Sequence, residues 1–366
     1  MESTSHTSTK QCKAHYFNTE LFYLPIRYEP VLPLGNGAYG SVISCNDLLY
    51  NRKVAIKKLV RISDSVDVKR ALREIMIMKY SDHENIIKLY DVIFHIHNPT
   101  QFGDVYLVME HMDSDLQKII QSNQPLSDEH NQFILYQILR ALKYLHSAKV
   151  IHRDLKPSNV LINSDVTIKL CDFGMSRNLS DNDKQLTEYV VTRYYRAPEI
   201  MLSSHHYSEK IDVWSVGCTF GELLKKKFLF PGEHYMAQIK LIIETLGSPS
   251  EEEQAFIPEG NAKDFVNSNS LKNIPKKNIA EVVNYNENPL ALDLLDKMLQ
   301  FNPNKRISIN DAISHEYLME MTQNIEDPVF VGKLNMFFEN NDKLTQRDLY
   351  NLFIQEISSF ESGVVY

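Results

Sequence analysis

The spacing of apolar and polar positions changes character twice along the chain. Over residues 28–59 the apolar positions fall in short β-branched runs, Val42–Ile43 and Val54–Ile56, with Asn46, Asp47 and Asn51 between them. That is the pattern of strands joined by a turn. Over 64–80 the spacing becomes helical, with Val68, Ala71, Leu72, Ile75 and Met78 on one face. Two further strand-like runs, "IIKLYDVIF" and "DVYLVME", end near residue 111.

After Met112 the pattern is helical. "LSDEHNQFILYQILRALKYLHS" opens with Ser127 as N-cap and Asp128 and Glu129 in the first turn, and it carries Phe133, Ile134, Ile138, Leu142 and Leu145 as an apolar stripe. The stretch 209–224 is apolar nearly all round, as expected of a helix inside a large core. "PLALDLLDKMLQFNP" predicts a third strong helix, and the Asn-rich stretch 258–278 predicts an irregular insertion. Near the end, Leu349, Leu352, Phe353 and Ile357 form a helical stripe that needs an apolar partner. There is no internal repeat. The order predicts an α+β protein with a small β-rich lobe followed by a larger helical one.

Composition narrows the class. A chain of 366 residues suits one or two domains, and 43% hydrophobic with 23% charged residues is ordinary for a globular protein. No apolar run is long enough for a membrane span. The first twenty residues are polar, which argues against secretion. Cys12, Cys45, Cys171 and Cys218 are widely separated, which suits free thiols in a reducing compartment rather than a zinc site or disulfide framework. A net charge of −8 argues against nucleic-acid backbone and favours basic protein partners.

Candidate chemistry begins at "LGNGAYGSV", where Gly35, Gly37 and Gly40 have the spacing of a phosphate-binding loop. A dinucleotide site shares this spacing but needs a helix after the glycines. Here strand-like runs flank them, so the alternatives are a hairpin flap over phosphates and a plain flexible hairpin. Lys57 ends an apolar strand, and Glu74, seventeen residues on, could keep its ammonium charged in a cleft. In "VIHRDLKPSNVLIN", Asp154 can accept a hydroxyl proton, Lys156 can neutralise a transferring phosphate, and Asn159 can offer an oxygen to a divalent metal. Asp172 in "KLCDFG" could hold that metal from the other side.

In this order, "GNGAYGSV", "VAIK", "HRDLKPSN", "DFG" and "APE" resemble the protein-kinase fold. "TEY" ahead of "RYYRAPEIM", with "NNDKLTQRDLYNLFIQEISSF" near the C-terminus, resembles the mitogen-activated protein kinases, nearest the extracellular-signal-regulated branch. The likeness runs from residue 20 to 360, almost the whole chain. One feature departs from that branch: "VVTRYYRAPE" is similar to the stress-activated Jun-kinase branch. A scaffolding pseudokinase is opposed by the intact catalytic positions. A cyclin-dependent-type kinase is opposed by T-E-Y, the insertion and the C-terminal extension.

The resemblance implies a bilobal fold: a polar tail over 1–20, a small lobe over 21–111 and a large lobe over 112–320 with an insertion about 248–282. Residues 321–366 would form a docking segment and an extension returning to pack behind the helix of Glu74. It implies ATP and Mg²⁺ as cofactors. Leu34, Gly35, Gly37, Gly40, Val42 and Ala55 would line the nucleotide, Lys57 would meet its α/β-phosphates, and Glu74 would hold Lys57. Backbone of Glu110 and Met112 would read adenine, Met109 would guard the rear pocket where that branch usually has glutamine, and Asp115 would bond the ribose. Asn159 and Asp172 would hold Mg²⁺, Asp154 would be the base, and Lys156 would meet the γ-phosphate. Cys171 would be an apolar filler at the pocket floor.

For control, the resemblance implies phosphorylation of Thr187 and Tyr189. Arg73, Arg153 and Arg177 would gather on the first phosphate, and Arg193 and Arg196 on the second. Glu199 would pair with Arg306, and Asp212 would hold the His152–Arg153 backbone. Docking of basic peptides would use Glu326 and Asp327, with Gln323 replacing the first aspartate of that branch and weakening the contact. The implied partners are an upstream dual-specificity kinase, substrates bearing Ser/Thr-Pro, and phosphatases with basic docking motifs. The expectation is a cytoplasmic and nuclear monomer that binds neither nucleic acid nor membrane.

Overall fold

The computed structural model describes residues 11–17, 20–37, 40–59, 62–97, 102–122, 124–178, 193–203, 208–322, 328–332, 334–341 and 343–365. The chain forms two compact units: residues up to 82, 86–112 and 334–366 make the first, and 83–85 with 113–333 make the second. Among the described residues no helix is long and apolar enough to cross a membrane.

The first unit contains β1 (Cys12–Phe17), β2 (Glu20–Pro25), β3 (Tyr28–Gly37), β4 (Gly40–Asp47), β5 (Arg52–Leu59), α1 (Ser65–Tyr80), β6 (Leu89–His95) and β7 (Asp104–Glu110). The polar tail expected over 1–20 is corrected here. Cys12–Phe17 pairs antiparallel with β2, and Phe22 and Leu24 of that hairpin are buried in the core of the unit. The polar residues that suggested a tail sit on a strand whose partner does the burying. Asp64 caps α1 by accepting from the N–H groups of Val66 and Asp67, and Val68, Ala71, Leu72, Ile75 and Met78 bury the predicted stripe.

In the second unit come β8 (Ser114–Asp115), α2 (Leu116–Gln121), α3 (Asp128–Ser147), β9 (Val150–Ile151), β10 (Val160–Ile162), β11 (Ile168–Leu170) and β12 (Arg177–Asn178). They are followed by α4 (Pro198–Leu202), α5 (Lys210–Lys225), α6 (Tyr235–Leu246), α7 (Asn261–Val266), α8 (Ile279–Val283), α9 (Pro289–Met298) and α10 (Ile309–Ile313). Helices α3 and α5 form its centre; fourteen consecutive residues of α5, Ile211 to Leu224, are buried. The stretch read as an irregular insertion contains α7. Its turns close through short local bonds such as Gln254 Nε2 to the Pro249 carbonyl, which no hydrophobic period announces.

The chain then completes the first unit with α11 (Gln346–Ile357) and β13 (Gly363–Val365). The sheet runs β13-β6-β7-β5-β4-β3, antiparallel except where β13 joins β6 in parallel. Phe353 of α11 is buried against Phe94 and Phe102, with ring centroids at 5.3 and 5.2 Å. Arg27 donates to Asp47 at 2.9 Å and to Glu361 at 2.6 Å, while Ser362 Oγ and Tyr28 Oη donate to Asp91 at 2.6 and 2.8 Å. Burial pushes the Asp47 carboxyl up, but hydrogen bonds and charge from Arg27 more than reverse this and leave it below the usual range. Phe353→Ala is therefore expected to cost about 3–5 kcal/mol. Denaturant unfolding is the check, and a loss below 1 kcal/mol, on the order of a surface change, would mean that α11 is not part of this core.

Candidate active site

Asp154 lies in the loop between β9 and β10, and the shape of that loop is set from α5. The wholly buried Asp212 accepts from the N–H groups of His152 and Arg153, each at 2.9 Å, and it lies 2.8 Å from His146 Nε2. Burial pushes the Asp212 carboxyl up, yet hydrogen bonding and charge from His146, then the charge of His152 and the Arg153 N–H, bring it below the usual range. Two orphan backbone donors are thereby satisfied inside the unit. This support permits a strained backbone: Arg153 has φ +68° and Asp172 has φ +65°, values uncommon for residues with a Cβ.

With the loop fixed, three predicted side chains converge. Lys156 Nζ lies 2.9 Å from Asp154 Oδ2, and Asn159 Nδ2 donates to the Asp154 carbonyl at 2.7 Å and to its Oδ2 at 3.2 Å. Burial holds the Asp154 carboxyl above its ordinary value; Lys156 lowers it and the neighbouring charge of Asp172 raises it again. The Cys171 N–H donates to the Asn159 carbonyl at 3.0 Å, tying the strand before Asp172 to the Asp154 loop.

The donor set suits a hard divalent cation. The amide nitrogen of Asn159 is used on Asp154, so that residue has its Oδ1 to offer beside the Asp172 carboxylate, and both are oxygen ligands. Among the described residues no group of three His, Cys, Asp or Glu side chains is placed to cage a metal. Mg²⁺ needs no such cage, because it is commonly held by one or two protein oxygens with water and substrate phosphates.

The first unit carries its own set of predicted residues. Lys57 Nζ and Glu74 Oε1 are 2.7 Å apart and both side chains are buried. Cross-strand pairs place Val42 opposite Lys57 and Ala55 opposite Met109, so Val42, Ala55, Lys57 and Met109 share one face of the sheet. Gly35 pairs with Val42 and Gly37 with Gly40, while Leu34 stands at the bulge between. The glycines thus belong to a strand–turn–strand hairpin, and the dinucleotide alternative, which requires a following helix, falls away. Gly40 has φ +136°, and a Cβ there would stand 1.9 Å from the Lys58 carbonyl oxygen. Glu110 donates its N–H to the Lys88 carbonyl, and Met112 is buried. Asp115, in the second unit, caps α2 by accepting from the Lys118 N–H.

The arginines assigned to phosphates are more dispersed. Arg153 Nη1 donates to the Met175 carbonyl, Arg177 pairs across strands with Ile151, and Arg193 Nη2 donates to the Glu233 carbonyl. Arg196 follows in the same turn, its N–H donating to the Arg193 carbonyl. Arg73 lies in the first unit with its Nε 2.7 Å from Glu339 Oε1. Sequence reasoning missed that carboxylate, which stands 266 positions away. No local signal could have found it. Thr187, Tyr189, Gln323, Glu326 and Asp327 lie outside the described residues.

Arg306 and Glu199 form a two-pronged ion pair at 2.6 and 3.0 Å, with both side chains sequestered. Arg306 also donates to the carbonyls of Lys210 and Gln300, which ties α4 and α5 to the end of α9.

A profile of the protein kinase domain matches residues 28–318. Mitogen-activated protein kinase 3 of Arabidopsis thaliana is 45% identical over 341 residues, 92% of this chain and 90% of the relative. Mitogen-activated protein kinase 6 of the same plant is 46% identical over 93% of this chain and 85% of its own length. Extracellular signal-regulated kinase 1 of Dictyostelium discoideum is 46% identical over 95% of this chain and 66% of its own.

Glu199→Ala would leave Arg306 charged and buried, and it is expected to cost about 3–5 kcal/mol. Replacing both residues together, as Glu199→Leu with Arg306→Met, should cost less than the single change. A double variant less stable than Glu199→Ala would contradict this account of the pair.

Proposed function

The chain belongs to the protein kinase family, within it to the mitogen-activated serine/threonine kinases of the extracellular-signal-regulated type, and on that premise we propose how its own residues carry out and control the transfer. ATP and Mg²⁺ are the cofactors of this class, and upstream kinases, protein substrates and phosphatases are its partners in general. The observation that carries the proposal is the convergence of Lys156 and Asn159 on Asp154. Asp154 orients the acceptor hydroxyl and takes its proton as the oxygen attacks the γ-phosphorus. Lys156, held by the same carboxylate, balances the charge on the transferring group. A Mg²⁺ ion bound by Asp172 and Asn159 would supply charge neutralisation at the phosphate oxygens. Lys57 grips the α/β-phosphates while Glu74 keeps it charged and aimed, and the glycine hairpin covers them with backbone N–H groups. Backbone of Glu110 and Met112 reads adenine, beside Met109, Leu34, Val42 and Ala55, and Asp115 bonds the ribose.

The acceptor is a serine or threonine followed by proline, in a protein delivered by basic docking segments to Glu326 and Asp327. Phosphorylation of Thr187 and Tyr189 by a dual-specificity kinase supplies dianions for Arg153 and Arg177 with Arg73, and for Arg193 with Arg196. Planar guanidinium forks suit such phosphates better than lysine does. The enzyme acts as a monomer in a cytoplasmic and nuclear cascade.

Asp154→Asn should retain nucleotide binding and lose turnover by about 10²–10⁴-fold, the usual worth of a positioned base. Asp172→Asn should instead weaken Mg-dependent ATP binding. Near-normal turnover in activated Asp154→Asn would defeat the assignment. The pH profile follows from the raised Asp154 carboxyl. The base works ionised, so kcat/KM must fall as pH drops through the raised value. The proton is bound more tightly in the folded state, so the stability Asp154 contributes is present below the unfolded carboxylate pKa and is lost as pH rises through the folded one. Lys156→Met removes the group that lowers this pKa and should move the acid limb to higher pH.

The switch has its own test. The unmodified chain should have low activity, and Thr187→Ala or Tyr189→Phe should block full activation by an upstream kinase. Wild-type activity in activated Tyr189→Phe would rule out control by both sites.

A further inference from the structure

Helix α1 is held on more than one face. Glu74 gives its carboxylate to Lys57 on β5 at 2.7 Å. One position earlier Arg73 turns to the C-terminal part of the same unit, where its Nε meets Glu339 Oε1 at 2.7 Å. One turn before that, Lys69 Nζ donates to the Glu339 carbonyl oxygen at 3.1 Å. The side chains of Arg73 and Glu339 are 4% and 0% exposed, so this is an interior ion pair. Glu339 is itself fixed: its N–H donates to the Met336 carbonyl, and Leu334, Met336 and Phe338 around it are buried.

Consecutive residues of an α-helix project about 100° apart, and residues four apart share a face. Lys69 and Arg73 therefore meet Glu339 along one face while Glu74 projects toward the sheet. Rolling α1 about its axis to carry Glu74 off Lys57 would also drag Arg73 and Lys69 off Glu339. It would leave a buried carboxylate without its guanidinium, one of the costlier events in a protein interior. The pair at Lys57 is short-range and could not by itself stop such a roll. The pair at Glu339 acts from a second direction.

We propose that Glu339 is a positioning residue for phosphoryl transfer: it locks the rotation of α1 and so keeps the Lys57–Glu74 pair closed. The inference rests on the reading of that pair as part of the nucleotide site. It adds a residue outside the kinase motifs, in a segment beyond the matched domain. The motif-bearing part of the unit would then depend on a carboxylate supplied from the C-terminal extension.

The test is a double-mutant cycle on the full chain, activated by an upstream kinase, with kcat/KM for ATP measured in wild type, Glu339→Gln, Glu74→Gln and the double variant. Glu339→Gln should lower kcat/KM for ATP about tenfold alone and less than about twofold in the Glu74→Gln background, because no pair remains to be held. The KM for the peptide acceptor should stay unchanged. An equal loss in both backgrounds, or a matching rise in peptide KM, would mean that Glu339 only stabilises the fold, and the lock would be overturned. If Glu339→Gln does not fold, Lys69→Met loosens the same contact from its outer side. It should show the same dependence on Glu74 with a loss of about twofold, and a loss independent of Glu74 would overturn the lock equally. Wild-type activity in Glu74→Gln would fall on the nucleotide reading of the Lys57–Glu74 pair, and the inference would go with it.

Discussion

The catalytic loop depends on one buried carboxylate. Asp212 spends both oxygens on groups that otherwise have no place inside a protein: two backbone N–H donors from a strained loop and the ring of His146. A left-handed Arg153 is costly, of order 1–3 kcal/mol, and survives when its surroundings over-determine it. Helix α5 provides that over-determination, because it is buried along almost its whole length and cannot shift without disturbing the core. The position of Asp154, and through it of Lys156 and Asn159, is thus inherited from the most rigid element of the second unit. Its raised pKa has the same origin, since the burial that fixes the loop also removes water from the carboxyl.

A similar economy appears in the first unit, where a segment remote in sequence completes a sheet and its core. Strand β13 adds a parallel edge to β6, the Phe353 ring enters the aromatic cluster of Phe94 and Phe102, and Ser362 and Glu361 answer Asp91 and Arg27. Each is a case of a buried polar or apolar group whose partner lies more than 250 positions away. A β-rich unit of modest size gains from this a larger core than its contiguous residues would make. Helix α1 is then packed between the sheet and α11, with charged contacts at Lys79–Glu356 as well as at Arg73–Glu339.

Much of this was legible in the chain. Helical stripes gave α1, α3 and α11 with the right faces, and N-caps at Ser127 and in the acidic start of α1 follow from local hydrogen bonding. The glycine hairpin was distinguishable from a dinucleotide turn because strand periods flank it. The Lys57–Glu74 and Glu199–Arg306 contacts were anticipated through family likeness rather than from spacing, and both are present. The strand Cys12–Phe17 was missed because its own residues are mostly polar and exposed, while the burial belongs to its partner β2. The short helix α7 was missed because six residues are too few to display a period.

What the sequence determined by itself is whatever is set between near neighbours: periods of two and 3.6, caps, turn residues, and the order of short motifs whose chemistry is carried by residue type. Those are enough for the fold class and for the kind of reaction. The tertiary structure alone decided how charges inside each unit are matched. Arg73 illustrates this. Its place in the sequence marks it as a phosphate ligand, yet the fold gives its guanidinium to Glu339, because folding brings a buried carboxylate to that side of α1. Asp154 illustrates it again: its type allows a base, but only desolvation by the surrounding core lifts its pKa. Burial and long-range charge matching depend on which surfaces meet, and one-dimensional spacing holds no record of that.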